Sequence, residues 1–313
     1  MTMSGLSETW PALPLEAWRD TYATLHMCTQ IVGKIRFVQS PWVNHSWHAT
    51  LYVTSKGLTT GPVPYENRTF QINFDFIAHE LIVQSSDGRS GRVLLQPQSV
   101  ATFYANLMAE MKKLDLHVDI YRMPNEVLDP IPFDEDETHR AYDRDYVNRF
   151  WRILVQADRI FKTFRAPFVG KCSPVHFFWG AADLAVTRFS GRRAPEHPGG
   201  IPHLPDWVTR EAYSEEVSSC GFWPGGGPIP YAAFYSYAYP EPPNFAAAFV
   251  QPGEAFYSND LHEFILPYDI VRESASPDET LLQFLQTTYA AAANLAKWNR
   301  DSLERASGPR SQL

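Results

Sequence analysis

Between Phe70 and Leu95 the chain passes through three extended segments whose joints are too short for anything but antiparallel pairing. Phe70, Ile72, Phe74 and Phe76 alternate with Gln71, Asn73 and Asp75, the period of two that buries one face of a strand. Leu81 to Gln84 follows a tight turn, and Ser86-Asp87-Gly88-Arg89 turns the chain again into Arg92 to Leu95. Parallel neighbours need a crossover of about a dozen residues or more, so this stretch is an antiparallel meander.

Helical stripes bracket it. Leu15, Trp18, Tyr22, Leu25 and Val32 recur at steps of three, four and seven behind Pro14 and Glu16, which suit a first helical turn. A second stripe, Phe103, Leu107, Met111 and Leu114, predicts a helix from about Ser99. A third runs from Tyr146 through Phe150, Ile153, Ala157 and Ile160 to Phe164, where Pro167 stops it. Near the end Ser276-Pro277-Asp278-Glu279 reads as a capping box ahead of Leu281, Phe284, Leu285, Thr288, Leu295 and Trp298. Leu184–Phe189, Val217–Phe222, Ala233–Tyr239 and Glu263–Leu266 are the expected strands of the second half, separated by Pro/Gly-rich loops. The fold class is therefore α+β, antiparallel sheets with long helices packed on them.

The halves share an ungapped offset of 133. Trp18-Arg19, Ser40-Pro41, Leu51 and Val53-Thr54 recur as Trp151-Arg152, Ser173-Pro174, Leu184 and Val186-Thr187, seven identities in 37 positions. This predicts an internal duplication of an α-β-β-β-α unit. Its halves would be 1–128 and 145–300, with an acidic, proline-containing joint at 129–144 and a flexible tail at 301–313; a single fused domain is the alternative.

Composition excludes several function classes. Of 313 residues, 44% are hydrophobic and 20% charged, which excludes a disordered chain. Twenty-seven basic against 35 acidic residues leave a charge of −8, which offers no general attraction for nucleic acid or an anionic membrane. Three cysteines, Cys28, Cys172 and Cys220, are too few for a disulfide framework. No basic start is followed by an apolar run, so a soluble, cytoplasmic protein is expected. Its oligomeric state is unspecified. Nine Trp, 15 Tyr and 20 Phe ask for a large core, a lined cavity, or both.

Candidate chemistry follows from residue type. His45 and His48 lie three apart, and His176 occupies the equivalent region of the second half, so the three are candidate acid–base groups or ligands of a divalent metal shared between halves. On a strand, residues three apart face oppositely, so a common metal requires a turn there. Structural histidines in an aromatic core are the competing reading. Asp183 and Arg188 are five apart and face oppositely on one strand; Arg188 could clamp an anion or close a strand-end salt bridge. Gly225-Gly226-Gly227 lacks the Lys-Ser/Thr ending of a phosphate loop and reads as a turn. Tyr235, Tyr237 and Tyr239 share one strand face, and three phenols in a row suit a partly polar surface better than a dry core. Tyr235 and Tyr237, with Trp179, Trp223, Arg188 and Tyr268, are candidate ligand-binding residues, and Glu263 joins the histidines as a candidate catalytic group.

Long blocks also carry a resemblance. Val43-Asn44-His45-Ser46-Trp47-His48, Gly57-Leu58-Thr59-Thr60, Ser173 to Gly180, Asp183 to Arg192, Gly221 to Gly227 and Glu263 to Tyr268 are similar to blocks of an uncharacterised bacterial family labelled only as a domain of unknown function. The resemblance covers about Leu13 to Trp298 and implies no activity. Members of that family carry tryptophan at the position of Cys28, and not all have cysteine at that of Cys220, which argues against a catalytic thiol at either. The expected function is binding of a small organic molecule in an aromatic-lined cavity; whether catalysis by His and carboxylate groups accompanies it, and of what reaction class, the sequence leaves open. The alternative is a non-catalytic ligand-binding or protein-interaction module.

Overall fold

Residues 8–305 are described here, from a computed structural model. Local sequence explains the long helices. In α3 (Arg144–Arg165) the Asp143 side chain accepts from the amides of Asp145 and Tyr146, satisfying two of the orphan donors of the first turn. Its buried face is Val147, Phe150, Ile153, Leu154, Ala157, Ile160, Phe161 and Phe164, and Pro167 follows its end. Each large apolar side chain so buried contributes roughly 1.5–3 kcal/mol. In α2 (Val100–Lys113) Ser99 caps the amide of Thr102. The expected capping box at α5 (Pro277–Leu295) is only half formed: Pro277 takes the first turn, but Ser276 makes no side-chain cap bond.

The first helix, α1 (Leu15–Gln39), differs from its expected single stripe. Every residue from Met27 to Ile35 is buried, polar ones included. A helix covered on all sides needs internal partners for its polar groups. Gln30 finds them in the amide and carbonyl of Asn125, and Lys34 in the carbonyl of Met123 and the side-chain oxygen of Asn125.

Two antiparallel sheets complete the α+β fold. The first joins β1 (Tyr52–Val53), β2 (Gly57–Thr59), β3 (Val63–Tyr65), β4 (Arg68–Asp75), β5 (Glu80–Ser85) and β6 (Ser90–Leu94) in the order β1-β2-β4-β5-β6, with β3 also on β4. The second joins β7 (His176–Phe178), β8 (Asp183–Arg193), β9 (Glu215–Trp223), β10 (Ala233–Tyr239), β11 (Phe256–Ser258) and β12 (Glu263–Pro267) in the order β11-β12-β10-β9-β8-β7. Leu51 and Phe177 exchange both backbone hydrogen bonds at 2.9 Å, which stitches the sheets together edge to edge. Apolar residues of both halves form one contiguous core, in which Trp18 of α1 meets Phe150 of α3 with ring centroids 5.2 Å apart. α3 and α5 cover the buried face of the second sheet.

The offset of 133 pairs elements of like kind only at its start. Trp18 and Trp151 lie on helices, and Val53 and Val186 on strands. Farther on, the same offset lays Arg68–Asp75 of β4 onto 201–208, which is loop and the start of the short helix α4 (Asp206–Ala212). The acidic joint is ordered: Asp136 is buried and accepts from the amides of Thr138 and His139 and from the His139 ring.

Candidate functional site

The period of two along the second sheet sorts its side chains. Leu184, Val186 and Arg188 of β8, Cys220 and Phe222 of β9, and Phe234 of β10 are buried beneath it. Asp183, Ala185, Thr187 and Phe189, then Val217, Ser219 and Trp223, then Tyr235 and Tyr237 line a cavity of about 430 Å³ on the other face, with Glu263 from β12. Register aligns them across strands: Ala185 and Tyr235 both pair with Gly221, and Thr187 and Tyr237 both pair with Ser219. His45, Trp47, Glu126 and Tyr213 close the cavity from outside the sheet, and Phe178 closes it from the β7 edge.

Gly221 makes the central contact possible. A Cβ there would sit 2.4 Å from the Tyr235 hydroxyl and 2.6 Å from the Leu184 carbonyl oxygen. In the space left by the missing side chain the Tyr235 ring crosses β9, and its hydroxyl donates to the Asp183 carboxyl. The Tyr235 and Tyr237 rings stack with centroids 6.1 Å apart and planes 16° from parallel. The Tyr237 and Tyr213 hydroxyls lie 2.8 Å apart, as do those of Thr187 and Ser219. The backbone at the rim is strained: Glu126 (φ 58°), Ala182 (φ 56°) and His45 (φ 59°) hold left-handed conformations, at roughly 1–3 kcal/mol each.

Three carboxyl groups face this cavity. Burial pushes that of Asp183 up to about 6, although the Tyr235 hydroxyl works the other way. Burial and then the Asp183 charge push Glu263 up to about 8 and Glu126 up to about 7. By accessible surface Glu126 is exposed and Glu263 half-buried, so Asp183 is the buried one of the three. No Lys or Arg lines the cavity, and none of the three carboxyls has an ion-pair partner among the described residues. Their environment therefore favours the neutral acid.

The remaining candidates are dispersed. His45 lines the cavity, with one ring nitrogen 3.0 Å from the Ala212 carbonyl oxygen and the other 2.6 Å from the Lys171 ammonium. The first contact requires an Nδ1–H donor, so Nε2 accepts from Lys171, and burial lowers the affinity of the ring for a second proton. His48 packs against Phe37 and Trp42 and lines neither this cavity nor its neighbour. His176 is fully buried among Trp47, Tyr52 and Phe178, and burial pulls its ring down to about 3. Among the described residues no three His, Cys, Asp or Glu side chains gather to hold a metal ion. The metal grouping of His45, His48 and His176 is therefore corrected: the left-handed turn at His45 and Ser46 sends the first two rings into separate clusters.

Arg188 lies on the opposite face from the cavity, where its guanidinium stacks on Phe164 and Tyr289 and donates to the Phe164 carbonyl. Tyr268 is buried in the core, its hydroxyl donating to the Pro11 carbonyl at 2.8 Å. Trp179 lines an adjoining cavity of about 400 Å³ that shares His45, Glu126, Phe178, Ala212 and Tyr213 with the first. Glu126 and Tyr213 carry no sequence signal, because they lie outside any periodic run. Asp183 did have one: it shares strand parity with Ala185 and Thr187, across from the tyrosine row.

No curated protein and no solved structure matches the chain. Residues 10–305 match the family of unknown function DUF5996, nearly the full length, and the chain belongs to that family.

Proposed function

We propose that the cavity on the open face of the second sheet binds a small organic molecule bearing a positively charged amine. The observation that supports this is the pairing of three carboxyl groups with aromatic walls and no cationic lining residue. Buried carboxylates are costly without a counter-charge, and a bound ammonium supplies one while stacking on Tyr235, Tyr237 or Trp223. Affinity should rise as pH increases through about 6 to 8, because the acids must ionise to meet the cation while the amine stays charged. Calorimetric titration with phenethylamine, against its neutral isostere 2-phenylethanol, tests this. Equal affinity for the two, or none for either, refutes it. Acid–base catalysis on the bound molecule is the second reading, favoured by the separation of Asp183 near 6 from Glu263 near 8. Its signature would be a bell-shaped rate profile with limbs near those values.

A further inference from the structure

The adjoining cavity has a different chemistry. Its wall is almost wholly apolar, formed by Phe37, Trp179, Ile201, Leu204, Trp207 and Val208, and one cation, Lys34, stands on it. Lys34 is 5% exposed and no carboxylate pairs with it among the described residues. Two of its three N–H groups go to neutral oxygens, the Met123 carbonyl at 2.8 Å and the Asn125 side chain. The ammonium stands 5.4 Å from the Tyr121 ring centre and 5.9 Å from that of Trp179. Trp179 is itself held as a wall by its indole N–H on the Ala49 carbonyl at 2.7 Å and by close packing on Gly33, where a Cβ would come within 2.1 Å.

We infer that this second chamber takes an amphiphilic carboxylate, its head on the third N–H of Lys34 and its apolar body along Trp179, Phe37 and Val208. A buried ammonium lacking a counter-ion, at one end of an apolar chamber, is complementary to an ionised acid with a hydrocarbon body. The volume of about 400 Å³ accommodates a medium-chain acid. Burial alone pulls the Lys34 ammonium down to about 8, in keeping with a charge that has no anionic partner in the protein. This site stands apart from the cation-binding reading of the first chamber and does not depend on it.

Calorimetric titration of the full chain with decanoate and with decanol, at pH 7 and pH 10, is the test. Decanoate should bind at one site at least tenfold more tightly than decanol at pH 7. That preference should vanish at pH 10, where Lys34 has lost its proton and decanoate has not changed. In Lys34→Met the acid should lose its advantage at pH 7 while decanol binding stays. Equal binding of acid and alcohol at pH 7, binding of neither, or an acid preference that persists at pH 10 overturns the inference. The pH series uses the unaltered protein, so the test holds even if Lys34→Met does not fold.

Discussion

Replacing Asp183 by asparagine should stabilise the protein at alkaline pH. The Asp183 carboxyl is 9% exposed, faces no cation, and is pushed from its ordinary 3.8 to about 6. Below the lower value the acid is protonated whether the chain is folded or not, so it makes no difference to stability. As pH rises from 3.8 to about 6 the unfolded chain releases the proton that the folded one retains, and folding loses free energy throughout that window. Above it the loss is complete, about 3 kcal/mol at 1.36 kcal/mol per pH unit. Asparagine mimics the neutral acid and can still accept from the Tyr235 hydroxyl. Allowing about 1 kcal/mol for a weaker hydrogen bond, the variant should gain about 2 kcal/mol at pH 8. In a chain of this size that is a rise of about 4 °C in Tm. Calorimetric melts at pH 4 and pH 8 are the assay, and at pH 4 the gain should disappear. A variant no more stable than the parent at pH 8, or one that gains equally at both pH values, refutes the account of an uncompensated carboxylate. The same substitution should weaken phenethylamine binding, since sites built for ligands often sacrifice stability.

Further substitutions separate the two faces of the sheet. Gly221→Ala forces a methyl group onto the Tyr235 hydroxyl and the Leu184 carbonyl, and should cost roughly 1–3 kcal/mol in urea unfolding while weakening amine binding. Tyr237→Phe keeps the ring but removes the hydroxyl contact to Tyr213, so stability should fall by about 1 kcal/mol and amine affinity should change; a loss of several kcal/mol would make the hydroxyl a core hydrogen-bonder. Arg188→Ala, on the buried face, should cost roughly 2–5 kcal/mol and leave phenethylamine affinity unchanged, as read by urea unfolding and calorimetry. Cys28 and Cys220 are buried with thiols pushed up by burial, so iodoacetamide should leave both unlabelled in the native protein and modify them in urea.

Strand parity in the second half could be read directly from residue type. Alternation placed Tyr235 and Tyr237 together and set Asp183 and Arg188 apart, and both relations hold in the sheet. What alternation could not supply was which face would carry helices, because Arg188 and Tyr235 are equally plausible on either. Its position beneath the sheet follows from Phe164 and Tyr289, which come from helices far away in sequence. The first helix was misleading for a related reason. Gln30 and Lys34 look outward-facing by type, but their partners are the backbone and side chain of a segment some ninety residues on. Glu126 and Tyr213 reach the cavity from irregular segments, where no period constrains direction.

The enclosure of α1 also has a consequence for synthesis. Met27 to Ile35 are buried partly by the strap at Met123–Asn125 and partly by Trp179, which packs directly on Gly33. A ribosome adding roughly 5–20 residues per second makes Trp179 on the order of ten seconds after Gly33. For that interval Ile31, Val32 and Ile35 have no finished surroundings, and the nascent chain presents an apolar helix to everything near the exit tunnel. A holdase chaperone or a cooler expression regime acts on that step, before the native contacts exist, and should raise the yield of folded protein.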